Sequence, residues 1–170
     1  MDNNYIFQYW EAIQNGTVTV GKWIRTIYKI LVDGLKSGKW DYDEGKAEKA
    51  IKFIENFCHH SEGRNDLLKL ELWQKAIVSA IFGIMDKKTG YRQFREVFIV
   101  VARKNGKTLF AAAIAAYMTY IDGEYGAKVY FLAPKLDQAE LVYDAFYQIV
   151  QADDELDSIC LLYTSPSPRD

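Results

Sequence analysis

Gly106, Lys107 and Thr108 stand between the apolar run Val97–Val101 and an alanine-rich stretch that begins after Thr108. A small residue, an ammonium and a hydroxyl in that order suit polyphosphate chemistry. The backbone N–H groups of a tight loop and a helix start can receive phosphate oxygens. On this reading Lys107 contacts the β- and γ-phosphates of ATP and Thr108 holds Mg²⁺, as in other phosphate loops. Arg103, Lys104, Asn105 and Gly106 line the same anion. The usual loop pattern places a further glycine five positions before Gly106, but Val101 is there. The loop must therefore turn differently from the standard one. By itself a Gly-Lys-Thr triplet often marks only a turn; its place between a strand-like and a helix-like run gives it weight.

The surrounding charge agrees. Lys87, Lys88, Arg92, Arg95, Arg103, Lys104 and Lys107 crowd the approach to the loop, although the chain as a whole carries a net charge of −2. A local positive field suits a polyphosphate or a DNA backbone, whereas the global charge argues for neither nucleic acid nor membrane. Two other groups invite chemistry and fail. Cys58, His59 and His60 are adjacent, so on a helix they diverge, and a chain with two histidines and two cysteines has no second ligand pair. Asp153, Asp154 and Glu155 are acidic but follow a helical pattern rather than a strand. They do not read as the carboxylate pair that a phosphate-loop site uses to hold metal and polarise water. Clustered carboxylates of a two-metal nuclease are also lacking.

A phosphate loop needs a strand before it and a helix after it. Val97–Val101 is short, apolar and rich in β-branched residues, as a buried parallel strand is. Thr108–Ile121 reads as a helix whose alanines allow close packing on a sheet, ended by Asp122-Gly123-Glu124-Tyr125-Gly126. Val129–Leu132 reads as a second strand, stopped by Pro134. Leu136, Ala139, Val142, Phe146 and Val150 form a last helical face. Strand, helix, strand, helix predicts an α/β fold: a partial P-loop NTPase core of parallel βαβ units. Residues 5–85 read as mostly helical, with apolar stripes at Ile24/Ile27/Leu31/Leu35, Ala47/Ala50/Ile51/Ile54/Phe57 and Leu70/Trp73/Ile77/Ile81/Ile84. Gly38 is expected to end the first of these, and Ser61–Asp66 to form a loop.

The expected organisation is a helical N-terminal region over 1–90, the start of the ATPase core over 91–152, and an atypical tail over 153–170. The Ser/Pro stretch in that tail cannot form a central strand, so the chain reads as truncated or misjoined there. A length of 170 residues suits one substantial core. Cysteine usage, the lack of a signal-peptide pattern and the lack of a long apolar run predict a soluble, intracellular chain.

Several segments together resemble the large terminase subunit of tailed bacteriophages. They are Phe57-Cys58-His59-His60, Leu72-Trp73-Gln74-Lys75, Phe82-Gly83, Arg92-Gln93-Phe94-Arg95, Val101–Thr108, and Ala133-Pro134-Lys135 with Asp137-Gln138-Ala139. The resemblance extends to about residue 152, and Ala-Arg-Lys-Asn-Gly-Lys-Thr is the family's customary departure from the standard loop. It implies an ATPase that drives double-stranded DNA through a portal protein into a capsid. In the full-length protein it also implies a small terminase subunit as partner, a homo-oligomeric ring, a separate nuclease domain, and a place at the procapsid portal in the host cytoplasm. Arg103 falls where the family carries a loop arginine that stabilises the transition state, a role a guanidinium can fill. The alternative for Arg103 is neutralisation of a nearby carboxylate or DNA phosphate. Gln74 matches the family's adenine-recognition glutamine, whose amide can donate and accept at once. Trp73 lies on an apolar stripe and reads as core.

Two other readings stay open: a different, helicase-like P-loop ATPase, and a non-enzymatic helical interaction module favoured by the long helices and many aromatics. Because no hydrophobic run ending in Asp-Glu follows, the 170-residue chain alone is expected to contact nucleotide without turning it over.

Overall fold

The computed structural model describes residues 4–60, 66–123 and 126–161, with side chains to Ser158. Within these residues the chain is mainly helical: α1 Tyr5–Gln14, α2 Lys22–Lys36, α3 Glu44–Phe57, α4 Leu72–Gly83, α5 Lys107–Tyr120, α6 Leu136–Gln151 and α7 Asp154–Leu161. Two compact units result. One comprises the described residues up to Lys52 together with Leu70–Val100; the other comprises the described residues of Phe53–Lys69 and those from Val101 onward. Residues 61–65 of the expected loop, residues 124–125 of the expected helix stop, and the Ser/Pro tail lie outside the described residues.

In the first unit α1 packs against α2 and α4 around Ile6, Tyr9, Ile13, Tyr28, Leu31, Val32, Trp40, Ala76 and Ile84. Short polar side chains fix where these helices start. The Asn4 carboxamide oxygen accepts from the Ile6 N–H at 3.0 Å, and Asp43 does the same for Lys46 at 2.9 Å. Gly38, with φ of 67°, follows the end of α2, where its N–H and that of Lys39 donate to the Leu35 and Gly34 carbonyls. Gly34 is required by packing: a β-carbon there would lie 2.4 Å from the Trp40 ring.

The apolar stripes were legible, but their rotation was less so. α2 buries Tyr28, Leu31 and Val32, and leaves Ile24 and Ile27 exposed beside Trp23 and Ile30. On α4 the deepest side chains are Ala76, Val78, Ser79 and Phe82, with Trp73, Ile77 and Ile81 only half-buried.

The expected parallel sheet is overturned. The only sheet among the described residues is an antiparallel pair of two-residue strands, β1 Asp41–Tyr42 and β2 Ile84–Met85, with Asp41 opposite Met85. Neither 97–101 nor 129–132 forms a strand. Phe98 is 93% exposed and Leu132 92%, where a parallel strand would bury both faces. The physical reason is that an isolated parallel pair is weak. Its slanted bonds stabilise less than antiparallel ones, and a lone two-stranded ladder is marginal without further strands. Alanines expected to pack α5 on a sheet pack it against α6 instead, with Ala112, Ala113, Ala115 and Ala116 buried. Small side chains permit close approach to either kind of neighbour.

In this second unit α6 also meets α7. Aromatic rings add to its core: Phe53 meets Tyr117 at 5.8 Å, and Tyr120 stacks on Phe146 at 6.2 Å. No described helix is long and apolar enough to cross a membrane.

Candidate nucleotide-binding site

α5 begins at Lys107, as the Gly-Lys-Thr triplet anticipated, and Gly106 is its N-cap with φ 65° and ψ 20°. That left-handed backbone costs glycine little and most other residues about 1–2 kcal/mol. Two residues earlier Lys104 has φ of 66°, the only non-glycine with positive φ among the described residues. Asn105 lies between them, and its side-chain amide donates to the Ala102 and Arg103 carbonyls, at 3.2 Å each. The loop is thus held by local bonds in a form the missing glycine at position 101 does not prevent.

Gly106 brings no side chain to the helix start, and no side chain caps it. Nothing lies within 4 Å of where a Gly106 β-carbon would stand, so the loop faces open space there. Arg103, Lys104, Asn105, Gly106 and Lys107 are all exposed, whereas Thr108 is half-buried. A helix N-terminus carries partial positive charge and unmatched N–H donors. Here three cationic side chains stand in the same short stretch. These residues fit a polyphosphate: donors, charge and room coincide, and Thr108 offers a hydroxyl on the first turn.

Gln74 sits in the first unit, on the first turn of α4, and is 8% exposed. Its side-chain oxygen accepts from the Glu71 N–H at 2.9 Å, while Glu71 accepts from the N–H of Gln74, a reciprocal capping box. Sequence reasoning missed this helix-starting role, although the Glu-x-x-Gln spacing signals it. Trp73 packs against the core of the first unit, as expected from its stripe.

Cys58 is buried, and desolvation, followed by the negative charge of Asp153, pushes its thiol up to about 12. The Nδ1 of His59 is buried without a hydrogen-bond partner, yet no group of three metal-ligating side chains occurs among the described residues. Asp153 caps α7: its carboxylate accepts the Glu155 and Leu156 N–H groups at 3.0 and 3.1 Å.

Comparison with known proteins shows what the chain is similar to. The profile described as "Terminase large subunit, ATPase domain" matches residues 72–160, a little over half of the chain. Among solved structures, the HK97 bacteriophage large terminase is similar, with a TM-score of 0.59 and 27% identity. The match covers 72% of this chain and 24% of that one, so the chain spans about a quarter of that terminase's length. No curated protein matches. With the profile running from the Trp73-Gln74 segment through the loop and α6, the chain belongs to the terminase large subunit ATPase-domain family.

Proposed function

We propose that the start of α5 is an ATP phosphate site, and that the chain serves the ATP-driven packaging of double-stranded DNA into capsids. The carrying observation is the uncapped N-terminus of α5, entered through left-handed Gly106 and flanked by exposed Arg103, Lys104 and Lys107. Lys107 meets the β- and γ-phosphates as a point charge. The N–H groups of the first turn receive phosphate oxygens, and Thr108 contributes its hydroxyl to Mg²⁺. When bound, Mg²⁺ neutralises charge across the phosphates. Arg103 is positioned on the same loop to stabilise charge that develops on the transferring group. Gln74 recognises adenine through the amide nitrogen that its capping bond leaves unused. On this proposal the site serves movement of double-stranded DNA, with a portal protein and a small terminase subunit as partners in an oligomeric ring at the procapsid.

The 170-residue chain is proposed to bind nucleotide without sustained hydrolysis. Asp153 is engaged in capping α7, and Asp154 and Glu155 lie in the first turn of that helix rather than at a strand end. Calorimetric titration with Mg-ATP tests the reading. Binding by the parent chain and at least a tenfold loss in Lys107→Ala, roughly the cost of one charge-assisted contact, are expected. Equal affinity in the two proteins would refute the phosphate role of Lys107.

A further inference from the structure

The chain contains two Asn-Gly pairs, Asn15-Gly16 after α1 and Asn105-Gly106 before α5. All four residues are exposed, and both glycines are left-handed, with φ of 80° and 65°. Nothing lies within 4 Å of where either glycine's β-carbon would stand. The pairs differ in how the asparagine amide is held. Asn15 sets its oxygen against two donors, the Thr17 N–H at 3.0 Å and the Thr17 hydroxyl at 2.6 Å. Asn105 instead uses its nitrogen, which donates to the Ala102 and Arg103 carbonyls at 3.2 Å each. A backbone N–H only donates and a carbonyl only accepts, so these partners fix which end of each amide faces them.

We propose that Asn15 is a site of covalent self-modification, in which the Gly16 nitrogen attacks its side-chain amide, and that Asn105 is spared. The Gly16 nitrogen loses its proton to solvent and bonds to the Asn15 Cγ, closing an imide ring. The bond from Cγ to Nδ2 breaks, and ammonia leaves with a proton taken from water. Water then opens the ring at either carbonyl, leaving aspartate or isoaspartate at position 15. Glycine suits the attack at both pairs, because no β-carbon blocks approach to its nitrogen. What singles out Asn15 is the pair of donors on its oxygen. They draw electron density from Cγ and stabilise the oxyanion that forms on attack, as an oxyanion hole does. The Thr17 N–H bond also closes a ring of atoms that runs through the Gly16 nitrogen. At Asn105 the two bonds hold the amide towards residues that precede it, and they polarise nitrogen rather than Cγ. Asn15 is the C-cap of α1, where its N–H donates to the Glu11 carbonyl at 2.9 Å. A carboxylate there meets the negative end of the helix, so conversion weakens an element that packs the first unit. The phosphate loop keeps its amide.

Peptide mapping by mass spectrometry, during incubation of the whole chain at mildly alkaline pH without nucleotide, reads both sites at once. Asn15 is expected to convert at least about tenfold faster than Asn105, a small part of what an oxyanion donor contributes in a water-excluded site. Aspartate and isoaspartate peptides from position 15 should appear together, as opening of an imide requires. In chain unfolded by guanidinium chloride the two pairs should convert at similar rates, because glycine follows both and only folding distinguishes them. Thr17→Val removes the hydroxyl and should slow Asn15 several-fold while leaving Asn105 unchanged, with the far-UV signal checking that the variant folds. The comparison of folded with unfolded parent stands without that variant, and neither readout depends on whether the loop binds ATP. Equal rates at the two sites in the folded chain, a ratio that persists in guanidinium chloride, or a folded Thr17→Val as fast as the parent would each overturn the inference.

Discussion

Lys104 and Gly106 both adopt left-handed backbone, with φ of 66° and 65°, on either side of Asn105. The pair turns the chain into α5 without a glycine at position 101, and Asn105 holds the turn by donating to the two carbonyls before Lys104. Lys104 pays for its conformation in strain, whereas Gly106 does not.

The first expected outcome concerns that turn. Gly106→Ala meets no atom within 4 Å, so its cost is purely conformational. A loss of about 1 kcal/mol in urea unfolding is expected. Gly106→Asn should lose less, because asparagine tolerates the left-handed region. An alanine variant as stable as the parent would mean that Gly106 does not hold this backbone.

Gln74 offers a way to separate capping from base recognition. In Gln74→Glu the carboxylate can still accept the Glu71 N–H, so α4 should keep its start. The amide donor is gone, and selectivity for ATP over GTP should fall several-fold. Gln74→Ala should lose about 1 kcal/mol of stability as well, with the cap removed. If Gln74→Glu keeps full ATP selectivity, capping is the whole of its role.

The helices were legible because 3.6-residue periodicity reports a buried face, and because Gly38 and Gly106 punctuate their ends. The start of α5 was legible for the same reason: a glycine followed by helix-favouring residues leaves few alternatives. The strands at 97–101 and 129–132 were misread because β-branched apolar runs report a capacity for burial, not a ladder. Strand formation depends on partners elsewhere in the chain, and Phe98 and Leu132 are exposed rather than paired. The two-residue strands at Asp41 and Ile84 carry no periodicity at all. Within the site, residue types at 103–108 were readable from sequence, but the left-handed Lys104 and the capping bond of Gln74 are properties of local geometry.

Cys58 makes stability depend on alkaline pH. Burial, with Asp153 nearby, raises its thiol from 9.0 to about 12 in the folded chain. Below pH 9 both states hold the proton and the contribution is fully present. As pH rises from about 9 towards 12 the unfolded state releases its proton first, so stability falls. Cys58→Ala should show a shallower decline over that window in urea titrations. The same slope in both proteins would assign the alkaline loss to other groups, such as Tyr28, whose hydroxyl is also raised by burial.

The central claim is that the start of α5 receives nucleotide phosphate. Amide nitrogen–proton NMR during Mg-ATP titration tests it most directly, because it reads the N–H groups of Gly106, Lys107 and Thr108 one by one. The expected result is a saturable shift of these three amides, with much smaller changes on α1 and α2, and its loss at the same ATP concentration in Lys107→Ala. Saturable ATP shifts elsewhere with these three amides unmoved, or an unchanged response in Lys107→Ala, would contradict the claim.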